Sequence, residues 1–324
     1  MSLKNKIPNI DLESVPCPNG SQPYDKELFT GHDRLHDLPG EYSVVQCQSC
    51  GLIRTNPRPT PETISFYYPD DYGPYVNTRI QSEGNVSSVK RVLRRLSHFI
   101  IRLNTSVIPP IKPGRLLEIG CASGSYLAQM DAKGWQVEGI EFSETAANRA
   151  RSAGFNVQIG SLENASEPTE HYDLIVGWMV VEHLHDPVGA LSKLSSWACT
   201  GGWLVISVPN IASFDFRFFK KAGYALQLPA HLYHYTPKTL NTILAKSGWK
   251  MEQVYHQRVL GNLMGSIGYL LEDYGAPKWL VRPFKRYPGN SRRLGLILYP
   301  LAWILSLFGQ TGRMTVWARK IQKK

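Results

Sequence analysis

Glu118, Gly120 and Gly124, in the run LLEIGCASGSYL from Leu116 to Leu127, set an acid two residues ahead of a glycine turn. A strand that enters such a turn and a helix that leaves it form a cradle, where a ligand approaches the backbone near a helix N-terminus. A dinucleotide fingerprint reads Gly-x-Gly-x-x-Gly, but this run is Glu118-x-Gly120-x-x-x-Gly124, with Ala122 between the glycines. An acid so close to the turn repels a pyrophosphate and suits a ligand whose nearby group is cationic. Glu141 ends the next apolar run, 17 residues after Gly124, where a carboxylate can accept both hydroxyls of a ribose. The two acids together favour a nucleoside ligand with a positive centre.

Two histidine clusters offer proton-transfer chemistry, because His is the usual base near neutral pH. VVEHLHDP holds Glu182, His183 and His185, and HLYHYTP holds His231 and His234. The first follows an apolar run and falls outside the carboxyl end of a strand, where ligands bind in open α/β sheets. The alternatives are structural: Glu182 and His183 as caps of the next helix, and the second cluster as packing around Tyr233 and Tyr235. No acid neighbours His231 or His234 in the sequence, which argues against a metal there. Cys47-x-x-Cys50-Gly51 makes the tight turn of a zinc knuckle, with Cys17 as a third thiolate and Gly20 where its partner would stand. His32 or His36 is then a candidate fourth ligand. The competing reading is a degenerate ribbon that uses its cysteines as small apolar residues.

The elements that must position these residues follow from the pattern of apolar positions. From Gly114 strands and helices alternate: RLLEIG, then SYLAQMDAKG as a helix, WQVEGIE, and SETAANRARSAG as a helix capped by Ser143. NVQIG and YDLIVGW are strands three and four, DPVGALSKLSSWA is a helix and WLVISVPN is strand five. Such alternation predicts a mostly parallel sheet covered on both faces. Residues 210–235 lack clear periodicity. TPKTLNTILAKSG restores a helix, with Thr236 as cap and Pro237 in its first turn, and WKMEQVYHQRV and RMTVWARK read as two final strands. Upstream, Val86, Val89, Leu93, Leu96, Ile100 and Leu103 recur at helical spacing until Pro109, Pro110 and Pro113. The organisation expected is a zinc-ribbon-like head over 1–75 and an amphipathic helical linker over 76–112. The main α/β domain follows over 113–324, with insertions at 210–235 and 259–312.

At these motifs the chain resembles the class I S-adenosylmethionine (SAM)-dependent methyltransferases, of the small-molecule and ubiquinone type. The resemblance implies a Rossmann-like seven-stranded α/β sheet, with the last strand antiparallel and inserted beside strand five. It implies that LLEIGCASG, with Glu118, Gly120, Cys121 and Gly124, binds the methionine part of SAM. Glu141 and the adjoining Phe142 would hold the ribose side, and GSLEN, with Ser161 and Leu162, would border the adenine. Family members often carry Asp where Ser161 stands. Glu-His pairs like Glu182-His183 line the active site of similar enzymes, and segments like HLYHYTP close over it. CGLIRTNPRPT and FYYPDDY resemble the zinc-ribbon heads of some methyltransferases, which implies a structural zinc at Cys17, Cys47 and Cys50.

Composition bounds the remainder. A chain of 324 residues with 43% hydrophobic and 19% charged residues is ordinary for a soluble globular protein. No signal peptide is visible at MSLKNKIPNIDLES, and five cysteines with a single Cys-x-x-Cys suit a reducing cytoplasm. The net charge of +10 is a C-terminal property: from Tyr274 to Lys324 there are eleven Lys and Arg and no Asp or Glu. These flank LGLILYPLAWILSLF, fifteen residues broken by Pro300 and short for a span of about 20. The segment 278–313 therefore suits either a helix lying on an anionic membrane or a buried insertion with a basic rim. No recognition motif supports nucleic acid. The expected activity is methyl transfer from SAM to a small-molecule, sugar or lipid-linked acceptor, with His183, His231 or His234 as base. The rival readings are a nicotinamide-dependent oxidoreductase and a non-catalytic scaffold with a vestigial cofactor fold.

Overall fold

A computed structural model of the chain describes residues 10–20, 24–68, 107–290, 295 and 297–321. The head begins with β1 (Leu12–Glu13), β2 (Asp25–Gly31), β3 (Tyr42–Cys47), β4 (Ile53–Thr55) and β5 (Arg58–Pro59). The main domain follows as β6 (Arg115–Ile119), α1 (Ser125–Asp131), β7 (Gln136–Glu141), α2 (Glu144–Ser152), β8 (Asn156–Ile159), β9 (Tyr172–Trp178), α3 (Pro187–Trp197) and β10 (Ala198–Pro209). Then come α4 (Phe214–Phe219), β11 (Tyr233–His234), α5 (Pro237–Lys246) and β12 (Trp249–His256). The chain closes with α6 (Gly261–Asp273), α7 (Lys278–Asn290), α8 (Tyr299–Leu307) and β13 (Arg313–Lys320).

The main sheet has seven strands in the order β12-β13-β10-β9-β6-β7-β8. Strands β8, β7, β6, β9 and β10 run parallel, and β13 lies antiparallel between β10 and β12. The expected inserted antiparallel last strand is therefore present. Leu116, Leu117, Ile119, Leu174, Ile175, Val176, Leu204, Val205 and Ile206 are all buried. Apolar residues on both faces of each strand are what a parallel sheet covered on two sides requires. Helix starts follow local chemistry. Ser143 Oγ accepts from Ala146 N at 3.3 Å, and Thr236 with Thr239 forms a capping box at α5.

The head is built onto the main domain. Strands β2, β3 and β4 form an antiparallel sheet, and β11 from the 210–235 insertion adds to its edge, pairing Tyr233 with Arg54 and His234 with Ile53. Thr55 N donates to Leu232 O at 3.0 Å, and Thr55 Oγ1 donates to His231 O at 2.9 Å. Arg58 donates to the Tyr233 hydroxyl at 3.0 Å. The region that lacks periodicity in the sequence is therefore ordered by pairing with a segment some 180 residues earlier. Within the head, buried Arg54 donates to both oxygens of Asp25 at 2.8 and 2.5 Å, the planar fork pairing that suits a desolvated guanidinium. The helical linker expected over 76–112 falls mostly outside the described residues, and 107–112 are not helical.

Candidate active site

Glu118, next to last in β6, has 3% of its surface exposed, and its Oε2 is buried without a hydrogen-bond partner. Burial, and then the charge of Glu141, hold its pKa well above the usual carboxylate value, against one backbone hydrogen bond from Leu127. The turn that follows needs its glycines for two reasons. Gly120 (φ +66°) and Gly124 (φ +79°) are both left-handed. A Cβ at Gly120 would lie 2.6 Å from Val180 Cγ2, and one at Gly124 would lie 3.0 Å from Ala150 Cβ. Ala122 adopts φ +48° without being glycine, and its N–H donates to Glu141 Oε2 at 2.7 Å. Ser143 N donates to Oε1 of the same carboxylate at 2.8 Å. The first amide holds Oε2 at the turn and the second holds Oε1 at the start of α2, and the carboxylate keeps acceptor capacity for a ligand hydroxyl. Burial still raises the Glu141 pKa despite these bonds.

Two further buried polar atoms lack partners, Tyr126 Oη and Trp178 Nε1, and their rings lie edge to face at 5.2 Å. Burial and then Glu118 push the Tyr126 phenol up. A carboxylate oxygen on β6, a phenol on α1 and an indole N–H at the end of β9, each without a partner, are groups waiting for a polar ligand. Of the other expected residues, Cys121 turns its side chain into the core, where Gly139 makes room for it, so only its backbone belongs to the turn. Phe142 is 48% exposed. Ser161 Oγ accepts from Asn164 N at 3.4 Å inside its own loop, and the Leu162 carbonyl accepts from Lys193 Nζ at 3.2 Å.

The histidines meet a tyrosine that sequence reasoning passed over. Tyr68, the third residue of FYYPDDY, lies 2.9 Å by its hydroxyl from His183 Nδ1, and its ring is 6.3 Å from that of Phe142. His183 Nδ1 donates to Ala230 O at 2.8 Å, and His231 Nδ1 donates to Ala225 O at 2.8 Å. A carbonyl can only accept, so each ring carries its proton on Nδ1 and leaves a lone pair on Nε2. The two imidazoles stand edge to face at 4.6 Å. Glu182 is fully buried with neither oxygen hydrogen-bonded, and its Oε1 is 4.0 Å from His231 Nε2. That distance is too long for a hydrogen bond, so the pair calls for a third group. Desolvation sets the charges: the Glu182 carboxyl is raised to about 8, the His183 imidazole is lowered to about 4, and His231 is held well below its usual value.

The structure corrects three expectations here. Glu182 and His183 do not cap the next helix; Asp186 does, accepting from Gly189 N at 2.9 Å. His231 does have an acid beside it, because Glu182 arrives from another segment; donor atoms of Glu182, His183 and His231 lie within 4.8 Å of one another. His234 is not brought into that cluster. It sits in β11, fully desolvated with its pKa down to about 3, at a small cavity lined by Pro209, Ile211 and Ser266.

In the head, the thiols of Cys17, Cys47 and Cys50 lie within 4.8 Å of one another, with Cys17 Sγ 3.5 Å from Cys50 Sγ. Burial raises the Cys50 thiol to about 12. For Cys47 burial is outweighed by hydrogen bonds from Ser49 and nearby backbone, which bring it to about 7. Three converging thiols fit a soft cation such as zinc. His32 and His36 do not join them, and a Cβ on Gly20 would lie 2.9 Å from Cys47 Sγ, the place a fourth thiolate would take. A larger cavity of about 260 Å³ lies between the head and α6, lined by His32, Lys221, Tyr224, Gln227, Leu228 and Tyr269 among others, and none of the turn residues borders it.

Comparison with known proteins finds methyltransferases. Residues 89–254 match the model of a family described as a methyltransferase domain. A ubiquinone biosynthesis O-methyltransferase of Bordetella bronchiseptica is 30% identical over 122 residues, covering 35% of this chain and 51% of the relative. The enzyme of the same name from Nitrosospira multiformis is 28% identical over 152 residues, covering 43% of this chain and 64% of the relative. The chain thus spans about half the length of the first of these curated relatives. A solved SAM-dependent methyltransferase from Mesorhizobium loti is 16% identical, with 72% of this chain and 98% of that chain covered at a TM-score of 0.42.

Proposed function

The chain belongs to the methyltransferase-domain family, and on that premise we propose that it transfers a methyl group from SAM to a small-molecule acceptor. The observation that carries the reading is the buried Glu118 carboxyl, its Oε2 without a partner, opposite Glu141 across the glycine turn. Glu118 with the backbone of Gly120, Cys121 and Gly124 would hold the amino-acid part of SAM. Glu141 would take the ribose hydroxyls, while Phe142, Ser161 and Leu162 would border the base. A cationic ligand explains what a dinucleotide does not: it gives the desolvated Glu118 a counter-charge. SAM supplies a methyl group on a sulfonium, and the protein's share is alignment of two reactants and exclusion of water.

For a hydroxyl acceptor, the chemistry in the names of the curated relatives, the proton would pass to the Nε2 lone pair of His231 or His183. Both imidazoles are neutral at physiological pH because burial lowers their pKa values. Tyr68 and the Ala230 carbonyl orient His183, and Glu182, which burial keeps mostly protonated near pH 7, stands beside His231, where loss of its proton would give an imidazolium a partner. A second reading rests on the unpartnered Glu182 oxygens: with His183 and His231 they form a donor set that suits a divalent cation, which would hold the acceptor oxygen. Zinc at Cys17, Cys47 and Cys50 would be structural, since thiolate-rich sites serve folding. A sugar or lipid-linked acceptor is the finer form of the proposal, with the head and the two insertions shaping its pocket.

The test is formation of S-adenosylhomocysteine from SAM with hydroxylated aromatic and sugar acceptors, for the native chain, His231→Ala and chelator-treated protein. Turnover lost in His231→Ala but kept after chelation supports the histidine base. Turnover lost to chelation and restored by a divalent metal supports the cation. No turnover of any acceptor by SAM-binding protein counts against both.

A further inference from the structure

The two insertions come together on one surface that neither shows alone. The first contributes α4, in the run FDFRFFKK, where Phe214 and Phe218 stack at 5.6 Å with 47% and 60% of their surfaces exposed. The second contributes α8, whose only buried residue is Ala302, while Ile304, Leu307 and Phe308 are 48%, 61% and 71% exposed. Arg217 of α4 donates to Gln310 Oε1 at 2.5 Å, and Gln310 Nε2 donates to Phe308 O at 3.0 Å. That bridge joins α4 to the turn after α8, so exposed apolar residues about 90 positions apart in the chain meet on one surface.

The exposed charges on and just after α4 have one sign. Arg217, Lys220 and Lys221 are exposed on and after α4, and the run's only acid, Asp215, is buried against Ser213. From Tyr274 to Lys324 the chain carries eleven basic residues and no acid. Large exposed apolar residues set among cations are the composition of a surface that lies in an anionic lipid interface. A second copy of the chain fits poorly, because pairing two such faces would bring like charges together. Among the described residues no helix is long and apolar enough to cross a membrane. Nine residues of α8 extend about 14 Å, against a hydrocarbon core of about 30 Å.

We propose that the face formed by α4 and the C-terminal end of α8 docks on the surface of an anionic lipid bilayer, with Phe214, Phe218, Leu307 and Phe308 inserted at the headgroup level and Arg217, Lys220 and Lys221 on the phosphates. The inference stands apart from the methyl-transfer reading and does not depend on it. Each basic residue near such a surface strengthens binding about fivefold, so the interaction is salt-sensitive.

Co-sedimentation of the full chain with phosphatidylcholine vesicles, with and without phosphatidylglycerol, tests it. Circular dichroism and solution mass are measured on every sample. The expected result is binding to the anionic vesicles alone, weakened at least tenfold by Phe218→Ser with Phe308→Ser and by Lys220→Glu with Lys221→Glu, all in folded protein. Folded native protein that ignores anionic vesicles would overturn the proposal. So would binding that neither pair of substitutions changes, or a solution dimer that the phenylalanine substitutions split into monomers.

Discussion

The glycine turn and the histidine cluster are both buried polar sites in one molecule, yet they are built in opposite ways. Glu118, Ala122 and Glu141 lie within 24 residues of one another, and the βαβ unit that joins them is enough to aim their groups. Tyr68, Glu182 and His231 come from the head, the turn after strand β9 and the C-terminal end of an insertion, and are held by hydrogen bonds between segments. Leu232 N donates to Glu182 O at 2.8 Å, and Thr55 ties the head to the His231 carbonyl. The first site can be inherited with the sheet. The second exists only where the head and insertion dock, so it is the place where acceptor chemistry can differ between proteins that share the sheet.

The comparison predicts that the two sites fail separately. Glu182→Gln should cut methyl transfer by about 10²–10⁴, the range for loss of acid–base assistance, while SAM affinity changes less than about twofold. Steady-state rates and calorimetry on the same sample separate the two; a parallel loss of SAM binding would merge the sites. The turn should reveal itself through pH. Burial and then Glu141 hold the Glu118 carboxyl protonated to higher pH than an ordinary carboxyl, whereas a cationic ligand needs the carboxylate, so binding in that range releases a proton. SAM affinity should therefore rise with pH, by up to about tenfold per unit while Glu118 is protonated, and fall as pH drops. Calorimetry in buffers of different ionisation enthalpy reads the proton directly.

Smaller effects sharpen the same contrast. Thr55→Val removes the only side-chain donor to the buried His231 carbonyl among the described residues. It should cost about 1 kcal/mol of stability in denaturant unfolding and slow turnover a few-fold with SAM affinity unchanged. Ala122→Gly relieves a left-handed alanine and should stabilise the chain by about 0.5 kcal/mol, because the gain is partly offset by glycine's freedom in the unfolded state. A shift in unfolding midpoint without a change in turnover would place that strain in the turn alone.

The same division decides what was legible in the sequence. The alternating strands and helices, the caps at Ser143 and Thr236 and the inserted last strand all follow from local pattern and from the family resemblance, and the structure has them. Tyr68, Tyr126 and Trp178 carried no signal of spacing, since an aromatic near a strand end reads as core until its partner is known. That Glu182 faces His231 could not be read, because 48 residues separate them and only docking of the insertion closes the gap. Strand β11 was missed for the same reason: two residues have no periodicity of their own, and pairing with Ile53 and Arg54 supplies it. The exposed face of FDFRFFKK went unnoticed because an amphipathic run of eight residues looks like any buried aromatic turn.

The most direct test of the central claim is calorimetric titration of the folded chain with SAM, beside Glu141→Ala and with NAD as control. Micromolar binding of SAM that the substitution abolishes, with no heat from NAD, is the result this account predicts. Folded protein that binds no SAM, or that binds NAD instead, would contradict it.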